Sequence, residues 1–136
     1  MNKKKVQVII FAKKETEIVL LLLQTRPDRN EHWQNITGGV DEGETFERAA
    51  QRELQEETGI VSELRELDLE FNFHDRWGKD VLEKVYFQLL DQVPQNITLC
   101  EKEHQAYKWL PISDVTKNHF GYPSNFEAFS KAKELI

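Results

Sequence analysis

The stretch that most constrains this chain runs from Gly38 to Ile60 and reads GGVDEGETFERAAQRELQEETGI. It opens with two glycines and continues with apolar residues at helical spacing. Thr45 is a suitable N-cap for a helix, and Gly59 lies where a glycine commonly ends one. The sequence therefore predicts a glycine-rich loop, a short helix and a sharp stop.

The side of the predicted helix that faces the core is apolar in its first half and acidic in its second half. Residues 46–50 supply its apolar half, and steps of three and four residues then reach Glu53, Glu56 and Glu57. Like charges four residues apart repel, and buried carboxylates need cations or protons. Three converging carboxylates predict a site for a hard divalent cation, Mg²⁺ or Mn²⁺.

The alternative is a solvated acidic face, in which the last two glutamates point to water and only the first is buried. The full spacing favours the metal site. Gly38 is followed after five residues by Glu44, and after seven more by Arg52-Glu53-Leu54. One residue separates this triplet from Glu56-Glu57, and one residue separates that pair from Gly59-Ile60. This arrangement resembles the Nudix hydrolase signature at every specified position.

The resemblance implies both a fold and an activity. The fold is an α+β arrangement, an α/β/α sandwich with a mixed sheet between helices, as one domain over residues 1–136. The activity is a metal-dependent pyrophosphohydrolase, in which water attacks a phosphorus of a nucleoside diphosphate linked to another group. Mg²⁺ or Mn²⁺ is the implied cofactor.

The same resemblance implies the metal ligands. Glu53, Glu56 and Glu57 are expected to bind the ion, and the backbone carbonyl of Gly38 is a further candidate ligand. Any one of the three glutamates is also a candidate general base. Glu53 is the preferred one, because its inward position leaves it the least freedom.

Arg52, Glu44 and one glutamate from a later loop are implied to support catalysis. Arg52 is expected to orient a glutamate through a bidentate contact, the alternative being a surface ion pair. Glu44 is expected to support the metal from the loop. Family members often add a glutamate from a later loop, and here Glu103 is the first candidate and Glu101 the second. The alternative for both is a solvated loop charge.

Two flanking segments are similar to the Nudix enzymes that act on dihydroneopterin triphosphate: residues 32–38, HWQNITG, and residues 103–110, EHQAYKWL. Residues 73–83 depart from that pattern, so nucleoside and deoxynucleoside triphosphates are equally candidate substrates. A dinucleoside polyphosphate hydrolase and a non-catalytic Nudix-fold nucleotide sensor are the alternatives.

Aromatic residues in loops are candidate walls for a base or pterin ring. They are Trp33, Trp77 and Phe120, and Arg26 is a candidate partner for the terminal phosphates. The alternative for each is an ordinary core or surface role.

Acidic residues are concentrated around the predicted metal site. Residues 41–70 hold eleven acids and three arginines, a charge of −8, against −6 for the whole chain. This acidity argues against binding of duplex DNA or RNA. Cys100 is the only cysteine, which predicts a reducing, cytoplasmic location. The expected partner is a small molecule rather than a membrane or nucleic acid, with a homodimer as one open alternative.

Hydrophobic patterning predicts the order β-β-β-α-β-β-β-α. The predicted strands cover residues 6–12, 16–25, 34–37, 64–74, 81–90 and 106–110. The apolar run at residues 18–23 indicates a strand buried on both faces. One helical turn or two are expected at residues 111–117, and a last helix at residues 125–136, capped by Ser124.

Overall fold

A mixed seven-stranded sheet lies between two helices in the computed structural model, which describes residues 3–136. The helices are α1 (Phe46–Thr58) and α2 (Pro123–Lys133). The strands are β1 (Lys3–Lys14), β2 (Glu17–Thr25), β3 (Trp33–Gln34), β4 (Ile36–Gly39), β5 (Arg65–His74), β6 (Asp80–Leu90) and β7 (His104–Pro111). Single 3-10 turns occur at Pro27–Arg29, Ile112–Asp114 and Lys117–His119.

The strand order is β3-β2-β1-β6-β5, with β4 also paired to β1 and β7 to β2. β1 runs parallel to β6 and antiparallel to its other partners. Alternate side chains of a strand point to opposite faces. Val8 and Ile10 therefore pack with α1, while Ile9 and Phe11 pack with α2. This arrangement confirms the predicted sandwich, and residues 19–23 of β2 are buried on both faces as the apolar run predicts.

The ends of α1 follow from its sequence. The Thr45 side chain accepts a hydrogen bond from the backbone N–H of Arg48 at 3.1 Å. At the other end Gly59 adopts the left-handed conformation, with φ of +80°, and its N–H bonds to the Gln55 carbonyl. Both end signals are as predicted, and together they fix which residues of the helix face the sheet.

The predicted strand at residues 34–37 is two short strands with different partners. β3 pairs with β2, whereas β4 pairs with β1. The switch occurs at the fully buried Asn35, whose backbone N–H donates to the Asn125 side chain at 2.8 Å. A side chain from α2 thus replaces the missing strand partner.

The expectations for the C-terminal region need correction. α2 begins at Pro123, with Tyr122 as its N-cap, so the prediction of Ser124 as the cap was wrong. Proline suits the first helical turn because its missing N–H has no helical partner there. The helix ends at Lys133, short of the predicted end at Ile136. The one or two turns expected at residues 111–117 are 3-10 turns, at Ile112–Asp114 and Lys117–His119, and the second extends beyond the predicted range. Neither helix of the described chain is long and apolar enough to cross a membrane.

Candidate active site

Helix α1 directs two of its three predicted metal ligands inward. Glu57 is 2% exposed and Glu53 is 8% exposed, whereas Glu56 is exposed. The solvated-face alternative is therefore wrong for Glu57, which is the most buried of the three. The expected inward position is wrong for Glu56, which lies at the solvent side of the stripe and pairs with Arg52 at 3.2 Å.

Arg52 joins the glycine-rich loop to the acidic face of α1. Its Nε and Nη2 donate to the two carboxylate oxygens of Glu44 at 2.9 and 3.0 Å. Its Nη1 donates to Glu53 at 2.9 Å, and Nη2 also donates to the Gly39 carbonyl at 2.8 Å. A bidentate guanidinium contact fixes both position and orientation. The structure thus gives Arg52 the kind of contact that the sequence predicts, with Glu44 as the bidentate partner.

These contacts give the carboxyl groups of Glu44 and Glu53 different pKa values. The hydrogen bonds from Arg52 lower the pKa of Glu44 to about 2. Burial raises the pKa of Glu53, and the attraction of Arg52 offsets only part of that rise. Glu44 is therefore held as a fixed anion, while Glu53 carries a charge that its surroundings leave poorly compensated.

Gly38 is needed for close approach rather than for an unusual backbone angle. A Cβ at this position would lie 2.0 Å from Cδ of Glu53. The carboxylate of Glu53 thus lies directly against the β4 backbone. A Cβ on the neighbouring Gly39 would meet nothing within 4 Å. Only the first glycine of the pair is required by packing.

The turn before β7 adds a second group of side chains to the site. One ligand atom each from Glu57, Cys100 and Glu103 lie within 4.8 Å of one another. The contact with Glu57 and partial burial raise the pKa of Glu103 to about 7. The structure thus brings Glu103 to the acidic face of α1, while Glu101 is exposed.

His104 lies against the buried end of Glu57. Its Nδ1 is 2.7 Å from Oε2 of Glu57, and the two side chains are 3% and 2% exposed. This 2.7 Å contact is not aligned as a hydrogen bond, and neither atom has another hydrogen-bond partner among the described residues. A buried carboxylate oxygen without an aligned donor is uncommon and suits a cation ligand.

A chain of polar contacts continues from His104 to the surface. The Gln34 amide lies 3.2 Å from Nε2 of His104, and its carbonyl oxygen lies 3.2 Å from Nε2 of His32. An amide NH₂ only donates, so in this orientation of the Gln34 side chain Nε2 of His104 accepts, while Nδ1 faces Glu57. This histidine is fixed as a positioning group for the carboxylate.

A family model of the NUDIX domain matches residues 1–131. The chain belongs to the Nudix family. Dihydroneopterin triphosphate diphosphatase of Escherichia coli K12 is 32% identical to this Nudix chain over 114 residues, covering 76% of the chain and 74% of that enzyme. The structure of the E. coli dihydroneopterin triphosphate pyrophosphohydrolase has a TM-score of 0.81 at 28% identity and covers 100% of this chain and 99% of its own.

A Caenorhabditis elegans Ap4A hydrolase in a binary complex has a TM-score of 0.80 at 28% identity, covering 98% of this chain and 96% of its own. These matches confirm the predicted family, the Nudix fold and the hydrolase class. Another relative is an octanoyltransferase of Myxococcus xanthus, which is 30% identical over 109 residues, or 79% of this chain. These residues span only 30% of the length of that protein. The substrate and partners therefore remain proposals.

The acidic side chains of this Nudix chain fit a divalent cation. The donors that converge here are carboxylates, which hard cations prefer. The buried Oε2 of Glu57 has no aligned donor, and Glu57 and Glu103 approach each other as like charges. A cation between them relieves the repulsion and occupies the free lone pairs.

The four predicted substrate residues are placed differently. Trp33 is half-buried, with Nζ of Lys108 4.2 Å from its ring centroid. Phe120 packs against aromatic rings of α2, as expected for a core residue. Arg26 is exposed and donates to the Glu101 carbonyl, and Trp77 is 65% exposed in the β5–β6 turn. Their roles in substrate binding stay predictions.

Sequence reasoning missed His104, Gln34 and Cys100. Gln34 and His104 lie within residues 32–38 and 103–110, the two segments that resemble the Nudix enzymes acting on dihydroneopterin triphosphate, and Cys100 lies three residues before the second segment. That resemblance was the one sequence signal that could have indicated them. Their contacts with Glu57 or with one another join residues far apart in sequence; Gln34 and His104, for example, are separated by 70 positions. Local periodicity carries no information about such contacts.

Proposed function

We propose that this Nudix chain is a metal-dependent pyrophosphohydrolase of small phosphorylated substrates in the cytoplasm. The buried carboxylate of Glu57 is the observation that carries the proposal. It faces Glu103 as a like charge, and its Oε2 lacks an aligned hydrogen-bond donor. Such a group is unfavourable in a purely structural domain and favourable as a cation ligand.

The proposed ion is Mg²⁺, with Mn²⁺ as the alternative. Glu53, Glu56, Glu57 and Glu103 would hold it, and the Gly38 carbonyl is a further candidate ligand. When bound, such an ion neutralises phosphate oxygens and lowers the pKa of the attacking water.

The chain's own residues position groups and accept a proton. Arg52 holds Glu44 and Glu53 in a fixed arrangement through the contacts described above. Glu53 is the proposed general base, because burial raises its pKa towards the range in which a carboxylate accepts a proton well. Glu103 is the second candidate, with its pKa raised to about 7.

For the substrate we propose a pterin or nucleoside triphosphate. The relation to dihydroneopterin triphosphate diphosphatase supports the first, at 32% identity. A dinucleoside polyphosphate is the second candidate, supported by an asymmetrical bis(5'-nucleosyl)-tetraphosphatase of Rattus norvegicus. That protein is 36% identical over 105 residues, covering 74% of the chain and 69% of the enzyme.

A substrate panel with product analysis tests the proposal. Dihydroneopterin triphosphate, nucleoside triphosphates and diadenosine tetraphosphate are each incubated with the protein and Mg²⁺, with and without EDTA. We expect Mg²⁺-dependent turnover of at least one. Release of pyrophosphate from a triphosphate would place the cleavage between the α- and β-phosphorus. In H₂¹⁸O the label then enters the monophosphate if the α-phosphorus is attacked and the pyrophosphate if the β-phosphorus is attacked. Absence of turnover of every compound, with Mg²⁺ and with Mn²⁺, would contradict the proposal.

A further inference from the structure

Cys100 places a thiol beside the carboxylates of the candidate active site. It is the chain's only cysteine and is half-buried. Its Sγ lies within 4.8 Å of a carboxylate oxygen of Glu57 and of one from Glu103, which are themselves within that distance of each other. A hard-cation site of this kind does not require sulfur, so the thiol needs a separate explanation.

The backbone holds Cys100 and Glu103 in a fixed relation. The Cys100 carbonyl accepts hydrogen bonds from the N–H groups of Glu103 and His104 at 3.0 and 2.9 Å. The tight turn that results places both side chains next to α1. On the opposite side, Glu57 is 2% exposed and its Oε2 has no aligned hydrogen-bond partner. This oxygen faces Nδ1 of His104 at 2.7 Å without an aligned hydrogen bond, so it can still bind a ligand.

The spacing is close to what a tetrahedral ion requires. With metal–sulfur and metal–oxygen bonds of about 2.3 and 2.1 Å, the ligand atoms lie about 3.6 Å apart. Side-chain rotations that shorten the separations by about an ångström would form the site. Two carboxylates and one thiolate leave a fourth position for water, as in zinc sites with three protein ligands.

We propose that Cys100, Glu57 and Glu103 form a site for a borderline divalent cation, Zn²⁺, which competes with the hard cation used in hydrolysis. The inference rests on the proposed function, since Glu57 and Glu103 are also proposed ligands of Mg²⁺. Thiolate sulfur favours Zn²⁺ over Mg²⁺, because Mg²⁺ takes oxygen ligands. The thiol releases its proton to solvent as the sulfur–metal bond forms, and no electron transfer is involved.

Occupation of this site by Zn²⁺ would inhibit the enzyme. The ion would bind the carboxylates of Glu57 and Glu103 together with Cys100 in the turn before β7, so these carboxylates could no longer bind the hydrolytic cation. Low Zn²⁺ concentrations would therefore inhibit Mg²⁺-dependent turnover, and removal of the sulfur would weaken that inhibition by about tenfold or more.

Cobalt absorption spectroscopy tests the site directly. Co²⁺ is titrated into the metal-free protein without added thiols, and a thiolate-to-cobalt charge-transfer band in the near ultraviolet is recorded. We expect the band in the parent, its loss in Cys100→Ser, and about tenfold weaker Co²⁺ binding in Glu103→Gln. Glu101→Gln changes an exposed residue of the same turn and serves as the matched control. Circular dichroism verifies that each variant folds.

Zn²⁺ inhibition supplies the second measurement, with each variant normalised to its own Mg²⁺ activity. Parent protein that binds Co²⁺ without a charge-transfer band, or a band that persists in Cys100→Ser, would overturn the inference. Either result combined with normal Mg²⁺ turnover leaves the proposed hydrolase intact. A band without turnover of any substrate would instead contradict the proposed function alone.

Discussion

Each face of the sheet buries a carboxylate, but the two faces compensate it in different ways. On the α2 face, Glu83 of β6 is 4% exposed and accepts a hydrogen bond from the Gln7 side chain at 3.0 Å. Gln7 in turn accepts from Asn35 at 2.8 Å. On the α1 face, Arg52 binds Glu53 at 2.9 Å, whereas Glu57 and Glu103 approach each other, with Arg29 3.8 Å from Glu103.

This difference distinguishes a structural acid from a ligand. Burial raises the pKa of Glu83, and a neutral amide is its partner, so a single proton satisfies the group. Several carboxylates that face one another need more positive charge than Arg52 supplies. A buried acid within an amide network therefore indicates packing, whereas converging acids with a free oxygen indicate a cation site.

Removal of one proposed metal ligand should lower turnover more than any other change. If it did not, the contrast between a structural acid and a cation ligand would fail. Glu57→Gln is expected to lower Mg²⁺-dependent turnover on the order of 10²-fold or more, because it removes an anionic ligand. Stability in EDTA should not fall, since a like charge facing Glu103 is removed. Steady-state kinetics and thermal melts measure both.

Glu47→Gln, which changes an exposed acid in the first turn of α1, is the control. Parent-like turnover of Glu57→Gln on the best substrate would refute the account.

The positioning role of His104 is the next test. His104→Ala is expected to weaken metal binding by about 10- to 100-fold, as is typical for groups that orient a ligand. His104→Asn should recover much of the loss, because its amide donor lies near the place of Nδ1. Mn²⁺ binding followed by electron paramagnetic resonance reports on the site without turnover. Equal loss in the two variants would indicate a packing role only.

The glycine pair gives a matched test of close approach. Gly38→Ala places a Cβ 2.0 Å from Glu53 and should displace that carboxylate, lowering turnover about tenfold and stability by about 1–3 kcal/mol. Gly39→Ala meets nothing within 4 Å and should do neither. Kinetics and denaturant unfolding of both variants decide the matter. Similar behaviour of the two would show that Glu53 does not depend on the missing Cβ.

Substitution of the structural acid should have the smallest effect. The raised pKa of Glu83 means that its contribution to stability is fully present below the unfolded value of 4.5 and is lost as the pH rises through the folded pKa. Glu83→Gln should therefore be more stable than the parent at pH 7, on the order of 1 kcal/mol. Thermal melts from pH 4 to pH 8 should show this advantage shrinking at low pH, with turnover unchanged. A pH-independent difference would refute the assignment.

Local patterns predict much of the site, because α1 is defined by signals within 23 residues of sequence. The cap at Thr45, the stop at Gly59 and the inward glutamates all follow from helical spacing. Glu56 was the exception, since its place at the edge of the stripe and its pairing with Arg52 turn it to solvent. The family resemblance, rather than spacing, pointed to Glu103.

Contacts set by sheet register were not predictable in the same way. β7 pairs with β2, and β3 pairs with the other edge of β2, so His104 and Gln34 meet only in the folded sheet. The position of Cys100 next to Glu57 has the same origin. The strand exchange at Asn35 also depends on a side chain from α2. Single-sequence periodicity describes each element but not its neighbours.

The central claim is that the acidic face of α1 binds a divalent cation, and equilibrium Mn²⁺ binding tests it most directly. Free Mn²⁺ is measured by electron paramagnetic resonance in titrations of the parent, Glu53→Gln, Glu57→Gln and the control Glu47→Gln. The account predicts binding by the parent and the control, and affinity at least tenfold weaker in the two inward variants. Binding of equal strength by all four proteins would contradict it.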